Sequence, residues 1–157
     1  MANKVTKSIS RNPIIIKLPS HSTVMTAAKL MAEHNIGAIM VMDADKLVGI
    51  FTERDIVNRV VAAGLSPADT MISTVMTSNP IRLKSGESVY HALDVMKKNH
   101  IRHLPLEEDG EIIGMISIRD LFAAVNDELR ENISTKDAII FGETYGAGVA
   151  ANKNVAA

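Results

Sequence analysis

The sequence predicts an α/β protein made of two like units, each a strand, helix, strand, strand and helix, packed on one another with pseudo-two-fold symmetry. The hydrophobic spacing is the first ground for this. It switches repeatedly between short apolar runs that suit buried strands and the i, i+3, i+4, i+7 spacing of one helix face. The second ground is a repeat at an offset of sixty-five residues. Val89, Ala92, Leu93 and Met96 repeat Val24, Ala27, Ala28 and Met31, Ile101 repeats Ile36, and GIFTERD at 49–55 returns as GMISIRD at 114–120. No gap is needed between Val24 and Asp55, which points to duplication of one unit. Each unit is too small to bury its own core well, so the two are expected to pack together.

Taken in order, residues 1–12 read as a polar arm and 13–65 as the first unit. Pro13 introduces an Ile-rich strand through Leu18. Pro19, Ser20, Ser22 and Thr23 supply turn and N-cap residues, and Val24, Ala27, Ala28 and Met31 then define a helix ending near Asn35. Ile36 to Met42 reads as a strand, Asp43 to Lys46 as a tight turn, and Leu47 to Thr52 as a second strand. Ile56, Val57, Val60 and Val61 mark a helix that Gly64 can end. Residues 66–77 form a linker with Pro67 and Asp69. The second unit, 78–131, opens with a strand-like run at Pro80, Ile81, Arg82 and Leu83 and repeats the first. Its last helix carries Ile118, Leu121, Phe122, Val125 and Leu129 on one face. Residues 132–157 form a tail outside the repeat. The tail spells GxGxxA at Gly146, Gly148 and Ala151, but only six residues follow, too few for the helix, strand and ribose acid of a dinucleotide fold.

Composition narrows the function classes. At 157 residues with 46% apolar content the chain can build a real core, and with 3% aromatics and no Trp it does so from Ile, Val, Leu, Ala and Met. Stacking platforms for nucleic-acid bases have little to draw on. A net charge of -1 disfavours binding of DNA or RNA by phosphate neutralisation. The absence of cysteine removes thiol catalysis, thiolate metal sites and disulfides. No signal-like start and no apolar run of membrane-spanning length is present, so the expectation is a cytoplasmic protein without a membrane partner.

The two junctions at Thr52 and Ser117 carry the chemistry. Each is a hydroxyl followed three residues on by an acid, Asp55 or Asp120. This is the spacing of a helix capping box, and a cap needs no ligand. The segment His100, Ile101, Arg102, His103, Leu104, Pro105 stands where the first unit has Asn35, Ile36, Gly37, Ala38, Ile39, Met40, so any two sites built from these parts differ chemically. Two histidines at that spacing, without further ligands, do not make a metal site, and no metal is expected. Met31 and Met96 read as core filler. Asp43, Asp45, Glu107, Glu108 and Asp109 read as solvated turn residues, and nothing pairs them as general acid and base.

With these pieces in hand, the chain resembles the cystathionine-β-synthase (CBS) domain family, specifically a stand-alone bacterial-type tandem pair, or Bateman module. The matching stretches are VMTAAKLMAEHNIGAIMV, LVGIFTERD, VYHALDVMKKNHIRHLPL and IIGMISIRD, spanning roughly Pro13 to Val125. The resemblance implies two CBS domains with nucleotide clefts between them, a regulatory module rather than an enzyme, and a flat homodimer. It implies an adenosyl ligand such as AMP, ADP, ATP, S-adenosylmethionine or NAD, and no catalytic cofactor. Asp55 and Asp120 become the ribose ligands, each carboxylate offering acceptors to two vicinal hydroxyls, with Thr52, Arg54, Ser117 and Arg119 beside them; the Thr52 and Ser117 hydroxyls and the helix-start amides can meet phosphate, and capping and binding can coexist. Each cleft is expected to pair the Asp of one unit with strand edges of the other. Asp55 would face Pro80, Ile81, Ile101, Arg102 and His103, with adenine read near Ile81, Leu104 and Pro105. Asp120, with Met115, would face Ile15, Ile16, Gly37 and Ala38. On this reading only the Asp55 cleft has cations from the facing strand, a fixed one at Arg102 and a pH-dependent one at His103, and it binds the phosphorylated ligand more tightly. The alternative is a dimerising scaffold with vestigial clefts. The regulated partner protein is not named by the sequence.

Overall fold

The computed structural model describes residues 15–130 and Ile133, and the expected arm, the start of the first strand at Pro13 and the GxGxxA tail lie outside these residues. The first unit opens with β1 (Lys17–Leu18) and α1 (Val24–His34). The hairpin β2 (Ala38–Asp43) and β3 (Lys46–Thr52) follows, and α2 then begins as α-helix at Glu53–Asp55 and winds on as π-helix over Ile56–Val61. A 3-10 turn (Ile72–Thr74) and β4 (Thr77–Ser78) close this unit. The second unit comprises β5 (Leu83–Lys84), α3 (Val89–Asn99), β6 (His103–Glu108), β7 (Glu111–Ser117) and α4 (118–130).

Two sheets result. The first has the order β1-β2-β3-β4 and the second β5-β6-β7. In each, a parallel pair (β1 with β2, β5 with β6) leads into an antiparallel hairpin. The hairpin turns place Ala44 and Asp45, then Asp109 and Gly110, at positive φ. This is the backbone twist that tight two-residue connections need. Thr23 and Ser88 cap α1 and α3 by accepting from the N–H of Thr26 and His91. Asn35 and His100 close the same helices in the left-handed conformation.

Alternation along the strands decides what each face meets. Ile39, Val41 and Phe51 pack with Val24, Ala27 and Met31 of α1, Val60 of α2 and Ile72 and Val75 of the connector. Leu104, Leu106 and Ile116 pack likewise with Val89, Ala92 and Met96 of α3 and Leu121 of α4. Met31 and Met96 are core residues, as their helical spacing indicates. The opposite face of the first sheet carries Ala38, Met40 and Ile50, also buried.

The linker is tied to the first unit: Ile72 and Ser73 donate to the Ser22 and Ser20 carbonyls and β4 pairs with β3. Three sequence expectations are corrected. Pro80 to Arg82 is not strand; pairing begins at Leu83. Asp43 is not merely solvated: its Oδ1 accepts from the Ser20 N–H at 3.0 Å, and hydrogen bonds from Ser20 hold its carboxyl below the ordinary value. Phe122 and Leu129 do not share the buried face of α4; they are 54% and 52% exposed. A three-stranded sheet covers only a narrow strip of a helix, and Leu121, Ile118, Ala124 and Val125 fill that strip.

Candidate functional site

Each strand-to-helix junction is a closed capping box. At the first, Asp55 Oδ2 accepts from the Thr52 N–H at 2.9 Å and the Thr52 hydroxyl at 2.7 Å, while the Asp55 N–H donates to Thr52 Oγ1 at 3.3 Å. At the second, Asp120 Oδ2 accepts from the Ser117 N–H at 2.8 Å and hydroxyl at 2.6 Å, with the return bond at 3.4 Å. Capping thus uses one oxygen of each carboxylate. The other oxygen distinguishes the two. Asp55 Oδ1 lies 3.3 Å from Arg59 Nη1, one turn along α2, and Asp55 is buried. Asp120 is exposed, and Ala124 stands at the position equivalent to Arg59.

Each junction opens on a cavity whose far wall belongs to the other unit. The Asp120 cavity, about 310 Å³, sets Met115, Ser117, Arg119 and Asp120 against Ile15, Ile16, Gly37 and Ala38. The Asp55 cavity, about 230 Å³, sets Thr52, Arg54 and Asp55 against Pro80, Ile81 and Ile101. Gly37 and Arg102 hold equivalent places, their carbonyls accepting from the N–H groups of Glu53 and Ile118 at 3.1 and 2.9 Å. These bonds tie each hairpin's first strand to the following helix start.

Arg102 and His103 line both cavities. This corrects the expectation that their charges serve the Asp55 cleft alone: the chain entering β6 runs between the clefts and walls each of them. Arg119 adds a second cation on the Asp120 side. Burial, then the nearby Arg102 charge, pushes the His103 imidazole below its ordinary pKa of 6.5, against the opposing pull of Glu53 and Asp120. Leu104 and Pro105 line neither cavity. Leu104 is fully buried in the core beneath β6 and Pro105 is buried beside it.

The cavities also include residues that sequence reasoning passed over. Glu53, Met40 and Ile118 line the Asp120 side; Ile50, Arg59, Thr77 and His100 line the Asp55 side. Some were within reach: Ile50 is the repeat partner of Met115, and Arg59 is i+4 from Asp55, the helical spacing of an ion pair. A Cβ at Gly37 would sit 3.0 Å from Glu53 Oε2 and 3.4 Å from His103 Cε1, so a larger residue here would press both side chains outward by a few tenths of an ångström. Among the described residues no group of His, Cys, Asp and Glu is placed to hold a metal ion, and no helix is long and apolar enough to cross a membrane.

Comparison with known proteins agrees with this architecture. A family model of the CBS domain matches residues 7–62 and 72–127. The chain is 34% identical over 142 residues to the CBS domain-containing protein CBSCBSPB3 of Arabidopsis thaliana, covering 87% of this chain but only 26% of that relative's length. CBS domain protein PAE2072 from Pyrobaculum aerophilum, solved in complex with AMP, superposes with a TM-score of 0.67 at 28% identity, over 75% of this chain and 89% of that one. The CBS domain pair of protein MJ0100, solved with 5′-methylthioadenosine and S-adenosyl-L-methionine, gives 0.72 at 28% identity, over 82% and 99%. With two matched segments that each contain one capped junction and one half of both clefts, the chain belongs to the CBS domain family as a tandem pair.

Proposed function

We propose that the chain is a regulatory module that binds an adenosyl ligand, AMP, ADP, ATP or NAD, in the clefts between its two CBS domains and passes that occupancy to a partner protein. The observation that carries this reading is the reciprocal geometry: each junction carboxylate keeps an oxygen outside its capping box and faces, across a cavity, the strand edge of the other unit. Asp120 and Asp55 accept from the ribose hydroxyls, and Arg102 supplies charge to phosphate. The AMP bound to PAE2072 and the adenosyl compounds bound to MJ0100 support the ligand class. Because the ligand contacts both units, it stabilises their mutual arrangement, and its signal is limited by its differential affinity for two states of the module.

Isothermal titration with AMP, ATP and NAD tests the reading. Binding is expected for at least one of them, weakened in Asp120→Ala or Asp55→Ala, and a ligand at 100 times its dissociation constant should add about 2.7 kcal/mol of stability. Silence toward all three sinks it. A second reading, a homodimeric scaffold with empty clefts, draws on Val57 and Phe122, equivalent in the repeat and 59% and 54% exposed. It differs in requiring a melting temperature that no nucleotide moves.

A further inference from the structure

The two clefts share a wall yet present different charge. Around the Asp55 cavity stand the guanidinium groups of Arg54, Arg59 and Arg102 against one carboxylate, Asp55. That carboxylate is already matched by Arg59. Arg54 gives a hydrogen bond to the His100 carbonyl at 2.8 Å, a neutral acceptor that leaves its charge uncompensated. Setting the Asp55–Arg59 pair aside, Arg54 and the shared Arg102 remain for a ligand, a net positive charge wherever Arg102 is counted. Around the Asp120 cavity, Arg102 and Arg119 face Glu53 and Asp120, and the charges balance. The Glu53 carboxylate reaches the cleft over Gly37, and Asp120 has no cation at i+4.

Phosphate makes this difference selective. A monophosphate carries about two negative charges, and each further phosphate adds to them. In a half-enclosed cleft, where charges are less screened than in water, a longer chain gains from uncompensated guanidinium groups and loses to carboxylates. Size does not impose the same order, because the more cationic cavity is the smaller of the two. Both cavities open to solvent, where outer phosphates can extend.

Resting on the adenosyl reading above, we propose that the two clefts sort ligands by charge: the Asp55 cleft takes an adenosyl polyphosphate, and the Asp120 cleft an adenosyl compound with at most one phosphate. Arg54 is the specificity-determining cation of the first and Glu53 the excluding anion of the second. Titration of the full chain with adenosine, AMP and ATP in the presence of a metal chelator reads this out. ATP and AMP are expected to bind together without displacing one another, and ATP affinity is expected to fall more steeply with salt. Arg54→Met should weaken ATP about tenfold and leave AMP within about threefold. Glu53→Gln should admit a second ATP. Mutual one-for-one displacement of AMP and ATP, or equal weakening of both by Arg54→Met, overturns the sorting while the adenosyl reading stands. Silence of the wild-type chain toward adenosine, AMP and ATP overturns the sorting, and silence toward NAD as well overturns the adenosyl reading with it.

Discussion

At the scale of single residues, His103 shows how position shifts the proton affinity of a common side chain. Arg102, Arg119, Glu53 and Asp120 all act on its imidazole, and burial outweighs the two carboxylates, so its proton affinity is lowered on folding. Between its folded pKa and the ordinary value near 6.5, the unfolded chain binds the proton more readily than the native one. Its contribution therefore favours the native state fully above that window and is lost as pH falls through it. Thermal midpoints of the wild type should drop more than those of His103→Gln on acidification from about pH 7.5 to about pH 5.5. Parallel slopes would remove His103 from the account. The capping pairs Thr52 with Asp55 and Ser117 with Asp120 could be read directly from their spacing, because a capping box is local. The sharing of Arg102 and His103 by both clefts could not, because it depends on where the second hairpin crosses between the sheets.

At the scale of elements, the two junctions repeat in geometry and diverge in what surrounds them. Thr52→Val removes the hydroxyl that accepts from the Asp55 N–H and donates to its carboxylate, so a loss of about 1–2 kcal/mol is expected in urea unfolding. An unchanged midpoint would mean that α2 is held by its packing alone. The helix after Thr52 also shows where periodicity misleads. Ile56, Val57, Val60 and Val61 look like one apolar face, yet Ile56 and Val60 pack inward while Val57 and Val61 are 59% and 64% exposed. The four positions span a wide arc of the helix and only part of it meets the core; the winding here also follows i→i+5 bonds, such as Ala62 N–H to the Val57 carbonyl at 2.9 Å. In the last helix the error at Phe122 arises differently, from the narrowness of the sheet it covers. Strand positions were legible wherever apolar residues ran together. They failed at Pro80 to Arg82, where an Ile beside a Pro lines a cavity rather than a ladder.

At the scale of the whole molecule, the duplication was the most legible feature, because a gap-free register leaves few ways to fold two copies. The exposed apolar positions were less so, since in the sequence they look like core. Val57 on α2 and Phe122 on α4 occupy equivalent outer positions, with Val61 and Leu129 beyond them. Large apolar side chains shown to water on paired helices fit burial against a second copy. Sedimentation equilibrium should therefore give a dimer for the wild type and a monomer for Phe122→Lys, and a monomeric wild type would refute the pairing. The connection between the two halves has a consequence of its own. Residues 72–78 are fastened to the first unit through Ser20, Ser22 and β3. Four residues remain before β5 begins: Asn79, at φ 47°, Pro80, Ile81 and Arg82. Arg82 donates across the gap to the Leu47 carbonyl at 3.3 Å and pairs with Glu107 at 3.0 Å. So short a tether holds each half near its mate at an effective concentration in the millimolar range or above. Cutting the chain at this point would turn an intramolecular docking into an encounter between separate molecules, and the clefts would then form or vanish with dilution.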